Sequence, residues 1–187
     1  MQMNNAGVIE KLKHGNDLYL ESTRNPGNVS LDIRRKTADA GQHPYAIVIS
    51  CSDSRVIPEA IFSTGIGELF VIRVAGNVLD NHQLGSIEYA ASHLDANVIV
   101  MLGHTGCGAV SAAIKGMTEG YIRYITDDIQ EAIGTEKDDY KATALNVKHG
   151  VNVIRQAFWE HPEIQSDELD IIGAVYNVDS GKVDWVE

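Results

Sequence analysis

Continuous apolar runs and loosely periodic helical stretches take turns along this chain. The runs fall at Tyr45–Ser50, Leu69–Val74, Asn97–Leu102 and Leu169–Tyr176, rich in valine and isoleucine and without polar alternation. Runs of this kind read as strands buried on both faces. Before the first run, Val8, Ile9, Leu12, Leu18, Tyr19 and Leu20 outline a helix over residues 5–22, interrupted near Gly15. After the turn Asn25-Pro26-Gly27-Asn28, Ser30 caps a second helix to about Ala40, with Gly41 as its stop. Neither helix has a partner within the N-terminal segment, so both are expected to pack on a neighbouring subunit.

Between the strand runs, Pro58 opens a short helix through Phe62, because its missing N–H is harmless in a first turn. Ala75-Gly76-Asn77 is a turn, Leu84–Leu94 a helix, and Cys107–Lys115 a small-residue helix leaving a glycine-rich turn. Residues 118–140 are acidic with no clear period and predict only a short helical excursion. Val147, Val151, Ile154 and Phe158 recur at three and four within a helix over Ala142–Trp159, stopped by His161-Pro162. Asp179-Ser180-Gly181-Lys182 is a hairpin turn into Val183–Val186. Strands separated by helices predict an α/β fold. Its mostly parallel central sheet has about four strands, a C-terminal edge hairpin strand and flanking helices.

At 187 residues, without repeats or linkers, residues 1–187 are expected to form a single domain with a substantial core. A formal charge of −11 argues against nucleic acid and anionic membranes as partners. No apolar run reaches the roughly 20 residues needed to span a bilayer, and Met1–Asn5 lacks signal-peptide character. The expected compartment is the cytoplasm, where a lone disulfide between the two cysteines would be unusual.

Both cysteines follow strands. The first strand ends in Cys51-Ser-Asp53-Ser-Arg55 and the third in Gly103-His104-Thr-Gly-Cys107-Gly108. In open α/β sheets ligands bind beyond the carboxyl ends of strands. Two thiolates and an imidazole form a zinc donor set, and three protein ligands leave a fourth position open for catalysis. Asp53 is spaced to accept a hydrogen bond at the metal, and Arg55 can hold that carboxylate bidentately; an unpaired Asp53 could instead close the site. Taken singly, each residue has a plainer reading. Cys51 would be a small hydrophobe, His104 a turn residue and Asp53–Arg55 a surface ion pair. All five at two strand ends are hard to obtain that way. A cysteine phosphatase would want arginine where Ile57 stands, and a dithiol oxidoreductase a Cys-x-x-Cys that is absent.

These two motifs resemble those of the β-class carbonic anhydrases. The resemblance continues through Gly67–Arg73, Ala75–Asn77, Ser86–Ala90 and Val175–Gly181, so it runs from about Gln42 onward. It implies one Zn2+ per chain on Cys51, His104 and Cys107, with Asp53 and Arg55 as the family dyad. The implied reaction is reversible hydration of CO2 to bicarbonate and a proton through zinc-bound hydroxide. The implied substrate pocket lies at a dimer interface, with Gln42, Phe70, Ala75, Tyr89 and Gly108 lining it. A homodimer or dimer of dimers is expected. Ala75 stands where plant-type members have valine, and Val74 replaces a common asparagine. Some members carry an inhibitory bicarbonate site of Trp, Arg and Tyr. Arg73 and Tyr176 match two of these, but Val48 occupies the Trp position, so that site is expected to be absent and the active site of the open kind. His93, four residues after Tyr89, is either a proton relay or a surface histidine. A COS or CS2 hydrolase on the same scaffold, and a non-catalytic zinc- or bicarbonate-binding protein, are the competing readings.

Overall fold

The computed structural model describes residues 3–22, 24–160 and 169–186. Its five strands are β1 (Ala46–Ser50), β2 (Leu69–Arg73), β3 (Val98–His104), β4 (Asp170–Tyr176) and β5 (Val183–Val186). They form one sheet in the order β2-β1-β3-β4-β5. All neighbours are parallel except β4 and β5, which pair antiparallel with Tyr176 opposite Val183. The helices are α1 (Asn5–Glu21), α2 (Leu31–Ala40), α3 (Pro58–Ile61), α4 (Asn81–Leu94), α5 (Gly108–Ile114), α6 (Ile122–Ile133) and α7 (Asp139–Trp159).

Every residue of β1 and β3 is buried, as continuous apolar runs require. Successive side chains of β1 point to opposite faces. Ile47 and Ile49 meet Ile87 and Ala90 of α4 and Val147, Val151, Ile154 and Phe158 of α7. Ala46 and Val48 meet Val8 and Leu12 of α1 and Ile61 and Phe62 of α3. The sheet therefore has helices on both faces, and the two motif-bearing strands are adjacent and parallel. Their carboxyl ends, Cys51 and His104, fall on the same edge.

Several expectations are corrected. Helix α1 is unbroken at Gly15, which is there for a close approach: a Cβ would lie 2.1 Å from the Phe62 carbonyl oxygen. The same helix does find packing on its own chain, with Val8 and Leu12 buried; α2 has no buried residue. Helix α4 starts three residues early, because Asp80 and Gln83 form a capping box that the apolar pattern does not reveal. The acidic 118–140 stretch holds the regular helix α6, whose Ile129 and Ile133 are buried at a spacing of four. Asp138 caps α7 by accepting from the Lys141 N–H, so this helix also begins before the apolar pattern does. Strand β3 runs on to His104, two residues past the apolar run. The proposed stop at His161-Pro162 lies outside the described residues.

Candidate metal centre

Cys51 follows β1, His104 is the last residue of β3, and Cys107 is the N-cap of α5. Gly106, at φ +66°, lets the chain turn between His104 and Cys107. The turn is held from both sides of that glycine. Its N–H donates to Asp139 Oδ2 at 2.8 Å, and its carbonyl accepts from Arg55 Nη2 at 3.2 Å. Asp139 lies far away in sequence at the start of α7, and nothing local marks it for this task.

The two Sγ atoms and one ring nitrogen of His104 lie within 4.8 Å of one another, and all three residues are buried. His104 Nδ1 faces the Thr105 carbonyl at 3.1 Å. A carbonyl only accepts, so Nδ1 carries the hydrogen and Nε2 presents a lone pair. That Nε2 is completely buried without a hydrogen-bond partner. Buried polar atoms are normally satisfied, and an unsatisfied imidazole lone pair beside two thiols is what a soft cation would occupy. The donor set fits zinc with a fourth position left free.

The electrostatics agree. The neighbouring Cys107 thiol draws the Cys51 pKa down to about 4 against its burial, helped by His104 and by the N–H of Gly76 at 3.3 Å. Cys107 is pushed up in turn, first by the Cys51 thiolate and then by burial. Burial pulls the His104 pKa down, but the Cys51 charge outweighs it and leaves it raised.

Asp53 sits beside this group, its Oδ2 3.9 Å from His104 Nε2. It is held by Arg55 through Nε to Oδ1 at 3.0 Å, Nη2 to Oδ2 at 2.7 Å and the backbone N–H to Oδ1 at 2.9 Å. Arg55, acting against a smaller burial effect, keeps the carboxyl well below the usual carboxylate range. The loop carrying Cys51 and Asp53 is clamped by Arg73, whose Nε donates to the Cys51 carbonyl at 3.1 Å and Nη2 to the Asp53 carbonyl at 2.7 Å.

The pocket candidates divide. Ala75 begins the 3-10 turn Ala75–Asn77 beside Cys51, and Gly108 follows Cys107 directly. Phe70 and Tyr89 pack at 6.3 Å between ring centroids, and Phe70 packs against the β1–α4 side of the core, in a cluster separate from the two cysteines. Tyr89 is 48% exposed, and the His93 ring meets it in a tilted contact at 5.4 Å between centroids. Gln42 lies exposed between α2 and β1. Val48 is fully buried, and the Tyr176 hydroxyl is 3.1 Å from that of Tyr19.

A buried Cys-His-Cys donor set with an oriented carboxylate, at the carboxyl edge of a mostly parallel sheet, defines an α/β metalloenzyme with an open metal position. The chain belongs to the carbonic anhydrase family, whose family model matches residues 46–183. It is 33% identical to carbonic anhydrase 2 of Mycobacterium tuberculosis, over 96% of this chain and 91% of that protein. The carbonic anhydrase of Mycolicibacterium smegmatis is likewise 33% identical, over 97% and 93%. Among solved structures, the β-carbonic anhydrase CafA of Aspergillus fumigatus superposes with a TM-score of 0.75 at 25% identity, covering 97% of this chain and 89% of that one. The Coccomyxa β-carbonic anhydrase in complex with acetazolamide gives 0.68 at 29% identity, covering 83% and 84%. The chain is thus a zinc enzyme, a carbonate dehydratase catalysing the reversible hydration of CO2.

Proposed function

We propose that Cys51, His104 and Cys107 hold the zinc and that Asp53 and Arg55 direct the attacking water. The observation that carries this is the buried, unpartnered Nε2 of His104 between two thiols. When bound, zinc supplies a Lewis acid that makes water nucleophilic near neutral pH. Asp53, held ionised by Arg55, can only accept. It therefore takes a hydrogen bond from the water's O–H and leaves a lone pair directed at the carbon of CO2. Three donors from Arg55 also hold Asp53 back from the metal position, which favours the open resting site.

CO2 is apolar and needs a small greasy slot. Ala75 and Gly108 supply small walls beside the donor set. Phe70, Tyr89 and Gln42 complete the pocket from a second copy in a homodimer, Gln42 donating to the oxygen that gains charge. The exposed Tyr89, and the packing of Phe70 in a cluster other than that of the chain's own cysteines, support this. So does α2, which has no residue more than partly buried on its own chain. A tetrameric relative is known from Sordaria macrospora, 25% identical with a TM-score of 0.68. In this reading His93, exposed beside Tyr89, passes protons to buffer. No described helix is long and apolar enough to cross a membrane, and we place the enzyme in the cytoplasm as a single domain.

Stopped-flow CO2 hydration on metal-quantified protein, from about pH 6.5 to 9, tests this reading. Activity that rises with pH and scales with one zinc per chain is expected. Full zinc with no turnover, or faster turnover of COS than of CO2, would overturn it.

A further inference from the structure

The Cys51 sulfur receives a backbone hydrogen bond whose donor is itself held from behind. Gly76 N–H donates to Sγ at 3.3 Å, while the Gly76 carbonyl accepts from Asn146 Nδ2 of α7 at 2.9 Å. The N–H and the C=O of one residue are linked only through its φ and ψ, and glycine restricts neither. Outside contacts must do it. Gly76 sits at φ +67°, so close to its neighbours that a Cβ would lie 2.7 Å from Ile129 Cδ1 and 2.9 Å from Ala109 Cβ. Those contacts confine the Cα, and Asn146 fixes the carbonyl. Asn146 is only 4% exposed, on a helix face otherwise given to apolar packing by Val147 and Val151. A buried amide there must be satisfied, and its Nδ2 donates to the turn that faces the metal ligand.

We propose that Asn146 is a positioning residue for the Cys51 ligand, clamping the Gly76 carbonyl so that the Gly76 N–H stays on the sulfur. It touches neither metal nor substrate. An N–H aimed at a thiolate draws charge from sulfur, lessens its hunger for protons and fixes the direction of its remaining lone pairs. The inference rests on Cys51 being a metal ligand, and the test separates the two claims.

Substituting the spin-active isotope of cadmium, a soft ion suited to thiolates, makes both visible by NMR. Coupling from the Cys51 β-protons to cadmium reports ligation, and its absence would sink the functional reading. Coupling from the Gly76 amide proton to cadmium reports the N–H···S bond. Ligation without the Gly76 coupling in the wild-type protein would sink this proposal alone. Asn146→Leu keeps the volume and removes the donor. It should abolish the Gly76 coupling and weaken zinc binding by about tenfold in chelator competition, the lower end for groups that orient ligands. Asn146→Ala serves the same purpose if the leucine variant does not fold. The comparison is Asn16→Ala, which removes another buried amide, bonded to Ile61, Gly181 and Val183 away from the site. It should lower the melting temperature while leaving zinc affinity and the Gly76 signal unchanged. Wild-type zinc affinity and coupling in the Asn146 variants, or equal losses in Asn16→Ala, would overturn the assignment.

Discussion

Replacing Arg73 by methionine keeps the aliphatic stem and removes two hydrogen bonds, to the carbonyls of Cys51 and Asp53. Those carbonyls belong to Cys51 and Asp53, the ligand and the carboxylate of the proposed mechanism, so the guanidinium holds both in one register. The bond to Cys51 is half-buried, and a charged donor there contributes about 1.5 kcal/mol. The bond to Asp53 is solvent-exposed and contributes about 0.5 kcal/mol after screening. Losing about 2 kcal/mol of loop order corresponds to roughly a 30-fold weaker zinc affinity if the loop must re-order to bind metal. Chelator competition measures that, and urea unfolding of the zinc-loaded enzyme measures what is lost from the fold instead. Arg73→Lys should recover little, because a point charge cannot bridge two carbonyls in the plane of a guanidinium. Zinc affinity and kcat both at wild-type values in Arg73→Met would refute the clamp.

Asp53→Ala should retain its zinc and lose turnover by about 10²-fold, within the range for a positioned proton acceptor; full activity would remove Asp53 from the mechanism. Its pKa is depressed in the folded state, so the pair stabilises the fold above the ordinary value near 4 and that contribution disappears as pH falls through the folded value. Urea midpoints of wild type and Asp53→Asn should therefore differ above about pH 5 and converge in acid; a gap that persists undiminished into acid would contradict it. Gly103→Ala places a Cβ 2.6 Å from Val147 Cγ2 and 2.9 Å from Thr143 Cγ2. Overpacking of α7 against β3 should cost about 1–3 kcal/mol in urea unfolding. With Cys51 drawn down to about 4 and Cys107 pushed up, the two thiols are expected to share one proton before metal binds. Zinc uptake at pH 6 should then release no more than about two protons, one from the thiols and one from His104, whereas independent groups at ordinary values would release close to three. Calorimetry in buffers of different ionisation enthalpy counts them.

The sheet was legible because its central strands β1 and β3 are buried on both faces and so appear as unbroken apolar runs, the least ambiguous pattern a strand can write. What escaped was set by polar residues. The starts of α4 and α7 lie in caps, Asp80 with Gln83 and Asp138, whose hydrogen bonds leave no mark on apolar spacing. Gly15 read as a break because its reason is a neighbour 47 positions on, the backbone of Phe62, which comes within reach only when α1 crosses α3. The acidic residues between 118 and 140 hid the four-residue spacing of Ile125, Ile129 and Ile133.

The donor set was equally legible, since reactive residue types at two strand ends need only the parallel pairing of β1 and β3 to meet. The supports were not. Gly106 is held by Asp139 and Gly76 by Asn146, contacts spanning 33 and 70 positions. Both donors or acceptors lie on α7, the helix laid across β3 and β4, and Thr143 of the same helix donates to the His104 carbonyl. One helix thus reaches all three corners of the donor set through backbone groups rather than through the ligating side chains. A strand end can carry reactive side chains by sequence alone, but their mutual distances depend on what fixes the loops. Here that is α7, which makes its seating on the sheet, through Val147, Val151 and Ile154, a determinant of metal geometry as much as of core packing.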